Sequence, residues 1–245
     1  MIPGAELHRS AVLDEVTGGL LRPGGLGLTE YALRQCSLPP GARVLDVGCG
    51  VGTTVEHLRR TLGFAALGID LDGQLLAKAA ERWGALPLIS GAGTQLPLRD
   101  GSMEAVLLEC TFSLVPDTAA LLRECRRVLV PRGSLVVTDL FARRSAGLEQ
   151  ARRASPACGR GLRLLTDFTE ALEENGFSLR IFEDRSTALA ELMARLIFSD
   201  GGAASFWSLA CAHDTEPAEA ARALRAARPG YLLLVAERTD DGGST

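Results

Sequence analysis

The chain has 245 residues, of which 47% are hydrophobic and 23% are charged, a composition typical of an ordinary soluble globular protein. Its formal net charge of −4 at pH 7 argues against a general nucleic-acid-binding surface. No stretch of about 18 uninterrupted apolar residues is present, so the sequence predicts no membrane span.

The first residues lack the apolar core of a secretory signal, because charged side chains interrupt it. The sequence therefore predicts a cytoplasmic protein, and its length predicts one domain that can fold alone. Six cysteines are scattered without a Cys-x-x-Cys pair or zinc-like spacing, at positions 36, 49, 110, 125, 158 and 211. We expect free thiols, most of them packed as small apolar side chains, and no metal site.

Residues 1–38 precede the first predicted strand. Residues 11–16 fit a short helix, and the many glycines and the proline in residues 21–29 indicate turns. Thr29 is placed to cap a helix that extends to about Gln35.

The most informative stretch is residues 46–52, Asp-Val-Gly-Cys-Gly-Val-Gly. An apolar pair leads into it and a helix-like pattern follows, which is the strand–loop–helix order of a nucleotide-binding first turn. Three glycines leave no Cβ along the loop, so a ligand can lie against the backbone. Thr53 stands where a dinucleotide fingerprint needs its third glycine. The Asp46 carboxylate repels phosphate but suits a cationic or amino-bearing ligand.

Alternating strand-like and helix-like patterns follow the loop and predict a parallel sheet. Strands are expected at 43–47, 65–70, 85–90, 105–109, 134–140, 178–182 and 231–236. Helices are expected at 54–62, 73–83, 118–129, 166–174, 188–198 and 217–227. The arginine-rich residues 141–165 interrupt this rhythm and are predicted to form a helical or partly mobile insertion.

Two strand ends extend the predicted site. Asp70 ends the second strand, 20 residues after Gly50, the distance at which an acid binds the ribose hydroxyls in a nucleotide-binding unit. Asp72 is better placed to cap the following helix. In doubly wound sheets the ligand lies beyond the carboxyl ends of the strands at the order reversal, so Glu109, Cys110 and Thr111 are expected to face it.

Residues 46–52 resemble motif I of the class I S-adenosylmethionine-dependent methyltransferases. Residues 91–104 resemble the family stretch Gly-Asp-Ala-x-x-Leu-Pro-Phe-x-x-x-x-Phe-Asp, with Leu96 and Pro97 aligned. Ala92 replaces the aspartate that usually accepts a hydrogen bond from the adenine amino group. One lost hydrogen bond of this kind is worth about 1 kcal/mol, and we expect backbone amides near position 92 to hold the adenine.

Two later stretches extend the resemblance to about residues 39–238. Residues 114–117 are similar to the family's His-Val-Pro-Asp, with Leu114 in place of the histidine. Residues 126–134 resemble its Arg-Val-Leu-Lys-Pro-Gly-Gly turn. The likeness points to the methyltransferase type 11 group, which includes enzymes of ubiquinone and menaquinone biosynthesis.

The resemblance implies an α/β fold: a Rossmann-like, doubly wound, seven-stranded sheet, mostly parallel with an antiparallel last strand. One domain would comprise an amino-terminal cap segment (1–38), a cofactor-binding half (39–140), an insertion that shapes the acceptor pocket (141–165) and a carboxyl-terminal half (166–240). In the family, segments such as 1–38 often fold over the active site; a packing extension is the alternative. The residues implied to bind S-adenosylmethionine are Asp46, Gly48, Cys49, Gly50, Gly52, Asp70, Leu71, Ala92, Gly93 and Glu109.

The implied function is S-adenosylmethionine-dependent methyl transfer to an unidentified small molecule, with no nucleic-acid or membrane partner and an open oligomeric state. Glu109 and Cys110 are the catalytic candidates. None of the histidines, His8, His57 and His213, is expected to act as a base, and His57 is expected at the surface.

Two alternatives remain open at this point. The first is a catalytically silent protein that binds S-adenosylmethionine for regulation or assembly. The second is a thiol-dependent enzyme, because Cys158-Gly-Arg-Gly-Leu resembles a cysteine segment of arsenite methyltransferases, which bind the metalloid through thiolates; Cys211 is a further thiol. A dehydrogenase is disfavoured because Thr53 breaks the glycine pattern.

Overall fold

The computed structural model describes residues 9–18, 20–154, 161–199 and 216–240. Within these residues one sheet has seven strands: β1 (Arg43–Val47), β2 (Ala65–Asp70), β3 (Leu88–Ser90), β4 (Met103–Glu109), β5 (Leu129–Ala142), β6 (Phe177–Asp184) and β7 (Pro229–Arg238). Their order is β3-β2-β1-β4-β5-β7-β6. The first five strands pair in parallel, and β7 is antiparallel to both β5 and β6. The predicted fold class, including the antiparallel last strand, is confirmed.

Helices connect these strands and cover both faces of the sheet. The described helices are α1 (Ala11–Thr17), α2 (Gly25–Arg34), α3 (Thr53–Arg60), α4 (Gly73–Trp83), α5 (Thr118–Val128), α6 (Leu148–Ala154), α7 (Leu165–Glu174), α8 (Ser186–Phe198) and α9 (Pro217–Ala227). No helix in the described ranges combines the length and the apolar character that crossing a membrane requires.

Strand β4 shows why the sheet is buried on both sides. Val106 and Leu108 pack into the core on one face, whereas Ala105 and Leu107 pack into the core on the other. All four side chains are fully buried. A continuous apolar run is what a central parallel strand needs, because helices cover both of its faces.

The order reversal lies between β1 and β4. Strand β1 pairs with β2 on one side and with β4 on the other, so that Asp46 lies opposite both Gly68 and Leu107. The loops that follow β1 and β4 leave towards opposite faces, and a crevice opens beyond the carboxyl ends of these strands. Asp46 and Glu109 are therefore brought to one edge of the sheet.

Two of the helix starts test the capping predictions. Asp72 caps α4, since its carboxylate accepts a hydrogen bond from the Gln74 amide at 3.0 Å, as predicted. The prediction that Thr29 caps a helix was wrong. Helix α2 starts earlier, at Gly25, because Gly24 adopts a left-handed conformation with φ of 79° and serves as the cap residue.

Strand β5 is longer than predicted and includes the first two residues of the predicted insertion (141–165). Strand β5 extends to Ala142, and the following helix α6 packs against α9, where the Gly147 backbone approaches Ala226 too closely for a larger side chain. Leu162 is fully buried beside this helix pair. The central part of the predicted insertion, including Cys158, lies outside the described residues.

We predict that Leu107→Ala lowers the free energy of unfolding by about 2–5 kcal/mol, because it empties a fully buried site in the central strand. The matched control is Leu71→Ala, since the Leu71 side chain is 59% exposed; we expect a change of about 0.5 kcal/mol or less. Urea unfolding monitored by circular dichroism measures both. Equal losses in the two variants would contradict the assigned core.

Candidate cofactor site

A two-part cavity opens at the carboxyl ends of β1, β2 and β4. The larger part has a volume of about 440 Å³ and the smaller part about 90 Å³. Both parts are lined by Gly48, Gly50, Leu75, Glu109 and Cys110, so they adjoin along the glycine loop. The cavity occupies the position at which doubly wound sheets bind ligands.

The glycine loop is fixed to the neighbouring strand by its backbone. The amides of Gly48 and Cys49 both donate to the Ile69 carbonyl, at 2.8 and 3.1 Å. Gly48 has φ of 80°, and a Cβ at this position would collide with the Thr111 side chain. Only glycine satisfies both the left-handed conformation and this close approach.

The carboxyl-terminal end of the glycine loop is fixed by a hydrogen bond from the last residue of α4. The indole N–H of Trp83 donates to the Val51 carbonyl at 2.9 Å. Gly52, with φ of 73°, precedes α3 and faces Leu86 and Leu88. Unlike the other predicted cofactor-binding residues, Gly52 lines neither part of the cavity, and its role within the described structure is to form the turn.

Asp70 lines the larger part and is anchored by two backbone amides. Its Oδ2 accepts from the Gly50 amide at 2.7 Å, and its Oδ1 accepts from the Asp72 amide at 2.8 Å. Each carboxylate oxygen can accept a second hydrogen bond, so the anchored group can still bind hydroxyls. Leu71, Ala92 and Gly93 line the same part.

Arg22 is a buried cation at this site. No motif or spacing in the sequence predicted that it would lie here. Its guanidinium forms an ion pair with Glu109 and donates to Thr29 Oγ1 at 2.8 Å and to Thr54 Oγ1 at 3.1 Å. Thr29 Oγ1 also donates to Glu109 at 2.7 Å. Burial lowers the pKa of Arg22, but the acidic groups around it, Glu109 first among them, together outweigh burial and the net pKa is raised. The Arg22 guanidinium therefore stays charged although it is buried.

Asp46 and Thr53 lie in the smaller part without hydrogen-bond partners among the described residues. The Asp46 side chain is buried, with 3% exposure, and no hydrogen bond stabilises its charge. Burial and the nearby Glu109 carboxylate raise its pKa to about 8. The buried hydroxyl of Thr53 is also unpaired. Because buried polar groups normally have partners, this corner is suited to a ligand that carries both an ammonium donor and an acceptor.

The two catalytic candidates are both at the cavity, but neither is a free base. Burial raises the pKa of the Cys110 thiol to about 12, so the thiol is protonated at neutral pH, and its Sγ lies 3.2 Å from the Tyr231 hydroxyl. Glu109 is engaged by Arg22. The expectation for His57 was wrong: its side chain is 13% exposed and its Nε2 lies 2.8 Å from Glu30.

The arginines of the predicted insertion are partly engaged elsewhere. Arg143 pairs with Asp184, Arg152 pairs with Glu149, and the Arg163 guanidinium lies over the Phe112 ring. Among the described residues no group of three or more histidines, cysteines and acids is arranged to hold a metal ion. The arsenite hypothesis depends on Cys158 and Cys211, which lie outside the described residues, as do His8 and His213.

Comparison with known proteins identifies the family to which this fold is similar. Residues 45–137 match the methyltransferase domain family. The arsenite methyltransferase of Aquipseudomonas alcaligenes is 30% identical over 184 residues, which cover 68% of this chain and 52% of that protein. The demethylmenaquinone methyltransferase of Mycolicibacterium paratuberculosis is 33% identical over 161 residues, 63% of this chain and 66% of that protein. The crystal structure of the cyclase SpnF superposes with a TM-score of 0.72 at 23% identity, covering 96% of this chain and 94% of that one.

Residues 45–137 therefore carry the methyltransferase domain of the class I S-adenosylmethionine-dependent methyltransferases, a class whose cofactor is S-adenosylmethionine. The chain spans less than two thirds of either of the two relatives, about half of the arsenite methyltransferase. The likeness to SpnF concerns the fold alone.

We predict that Arg22→Met lowers the free energy of unfolding by about 3–5 kcal/mol, because it leaves the Glu109 carboxylate buried without its cation. The double variant Arg22→Met/Glu109→Gln also lacks the unpaired charge and should therefore recover part of the lost free energy of unfolding. The matched control is Arg143→Met, which breaks a half-exposed ion pair and should cost about 0–1 kcal/mol. Denaturant unfolding of the wild type, the single variants Arg22→Met and Glu109→Gln, and their double variant measures the cycle, with Arg143→Met measured beside it. If the losses in the free energy of unfolding of the two single variants simply added up in the double variant, the assigned pairing of Arg22 with Glu109 would be wrong.

Proposed function

We propose that the protein binds S-adenosylmethionine in the two-part cavity and transfers its methyl group to a small molecule. The observation that carries this proposal is the pair of acids at the two parts of one glycine-lined cavity. Asp70 is anchored and offers acceptors to hydroxyls, whereas Asp46 is buried and lacks a donor. The hydroxyls of a ribose require acceptors such as Asp70, and the ammonium group of an amino acid requires an acid such as Asp46.

Each group of the cofactor has a complement in the lining. Asp70 accepts hydrogen bonds from the ribose hydroxyls, and the adenine lies against Leu71, Ala92 and Gly93. Because alanine has no acceptor, backbone groups bind the adenine amino group. In the smaller part Asp46 faces the ammonium group.

The carboxylate of the cofactor also has candidate partners in the smaller part. Thr53 supplies an unpaired buried hydroxyl, and Arg22 supplies the positive charge. Arg22 enters the site from the segment between α1 and α2, and Leu13 and Thr17 of α1 line the same part. This segment keeps water away from the charged end of the cofactor.

The bound cofactor supplies an electrophilic methyl group on a sulfonium, and the chain orients it towards the acceptor. The larger part is also lined by four consecutive or nearby residues without a titratable side chain, Thr111, Leu114, Val115 and Pro116. We therefore propose an acceptor whose reacting atom already carries a free lone pair or is ionised at neutral pH. Such an acceptor needs positioning more than it needs a base.

Two measurements test the proposal in sequence. Isothermal titration with S-adenosylhomocysteine should give saturable binding, and no heat at millimolar ligand would overturn the cofactor assignment. Transfer of labelled methyl from S-adenosylmethionine into small-molecule acceptors, including quinols, amines and arsenite, then tests the activity. Heat-denatured protein is the control for non-enzymatic transfer.

We predict that Thr53→Val weakens S-adenosylhomocysteine binding about fivefold, the equivalent of one hydrogen bond of about 1 kcal/mol. The same variant should unfold at equal or higher denaturant concentration, because it removes an unpaired buried hydroxyl. The matched control is Thr54→Val in the same helix turn. Its hydroxyl bonds with Arg22, so this variant should lose stability. A loss of stability in Thr53→Val with unchanged binding would contradict the assignment.

A further inference from the structure

We infer that the Asp46 carboxyl group gives up a proton when the cofactor binds, so that cofactor binding and proton release are coupled at this site. The inference rests on the proposed function, because the ammonium group of the cofactor is the partner that Asp46 acquires. It adds a property of the binding step and assigns Asp46 as the residue responsible.

Three buried or half-buried acids at the carboxyl ends of parallel strands differ in their donors. Asp70 accepts from two backbone amides, at 2.7 and 2.8 Å. Asp139 on β5 accepts from the amide and hydroxyl of Ser113, both at 2.8 Å, and from the Leu140 amide at 2.7 Å. Asp46 has no such donor in the part of the chain that the structure describes. Its ionised form is therefore the least stabilised of the three.

The charged groups that face Asp46 do not neutralise it. Glu109 on β4 and Asp70 on β2 both disfavour a further negative charge, and Arg22 favours it. The Arg22 guanidinium is already shared with Glu109 and two threonine hydroxyls. Among the described residues, the other titratable groups that line the cavity or lie beside it are Cys49, Cys110 and Tyr231, whose pKa values burial raises. Two further acids line it: Asp14 pairs with Arg82, and Asp72 pairs with Arg9.

A second unpaired group lies in the same corner. Thr53 is about nine-tenths buried, its hydroxyl has no partner, and it lines the smaller part of the cavity together with Asp46. Two neighbouring polar groups without partners indicate that their hydrogen bonds are made with a ligand. An amino-acid group supplies an ammonium donor for Asp46 and a carboxylate acceptor for Thr53.

The direction of the pH dependence follows from these contacts. Burial and the Glu109 charge raise the pKa of Asp46 to about 8, so below that pH the carboxyl is protonated. An adjacent ammonium group favours the ionised form and drives the proton off. Binding at about pH 5.5–7.5 should therefore release close to one proton, and the dissociation constant should fall about tenfold per pH unit gained. The dependence should end above about pH 8.

The test is isothermal titration of the full chain with S-adenosylhomocysteine in buffers of different ionisation enthalpy. This ligand carries the ammonium and carboxylate groups without the sulfonium charge. The slope of the observed heat against buffer enthalpy gives the number of protons released, and titrations across the pH range give the affinity profile. We expect close to one proton near pH 6.5 in the wild-type protein.

Three variants assign the proton to its residue. Asp46→Asn should bind more weakly at pH 7.5, release no proton and show a flat affinity profile. Glu109→Gln removes the neighbouring negative charge, so the affinity profile should level off at a lower pH. The control is Asp184→Asn, whose half-exposed carboxylate pairs with Arg143 and lines neither part of the cavity, and it should leave proton release unchanged.

The outcomes separate this inference from the proposed function. Binding with buffer-independent heats and a flat pH profile in the wild type would overturn the inference alone, as would full proton release by Asp46→Asn. If Asp46→Asn does not fold, an unshifted profile in Glu109→Gln would overturn it. Absence of binding at every pH would overturn the proposed function, and the inference with it.

Discussion

The buried ion pair between Arg22 and Glu109 joins parts of the chain that are 87 residues apart and determines how the site is enclosed. It links the segment between α1 and α2 to the end of β4, and the hydroxyls of Thr29 and Thr54 complete its hydrogen bonds. A buried charge without its partner is strongly destabilising, so the amino-terminal segment cannot leave this position without a large cost in free energy. Enclosure of the smaller cavity part follows from this pair.

The two acids beside the glycine loop, Asp46 at the end of β1 and Asp70 at the end of β2, differ in their hydrogen-bond donors. The loop directs the Gly50 amide to Asp70, while the Gly48 and Cys49 amides bond with the Ile69 carbonyl. The amides of Gly48, Cys49 and Gly50 are therefore not available to Asp46. Asp70 therefore both fixes the loop and keeps acceptor capacity, whereas Asp46 keeps an unmet requirement for a cation. The two acids therefore differ in that Asp70 is already fixed by backbone amides, whereas Asp46 has no donor within the described residues.

The fold alone does not define the reaction, since a cyclase shares it at a TM-score of 0.72. What separates reactions on this scaffold is the composition of the site. Here Arg22 and Asp46 line the smaller part, whereas the larger part combines the acids Asp70, Asp72 and Glu109 with mostly apolar side chains. A protonated Cys110 and an engaged Glu109 leave the described lining with polar groups suited to binding rather than to proton abstraction.

Local sequence patterns determined the strand and helix order, the glycine loop, the Asp72 cap and the position of Asp70, because each depends on neighbours a few residues away. Helix α9 was predicted with its exact bounds, whereas the start of α2 was not, because a glycine cap replaced the expected threonine. Only the tertiary structure brought Arg22 to Glu109 and left Asp46 and Thr53 without partners. Arg22 had no periodic or motif signal, and only its apolar neighbours Leu20, Leu21 and Pro23 hinted at burial. Long-range ion pairs and missing donors depend on packing, which residue spacing along the chain does not encode.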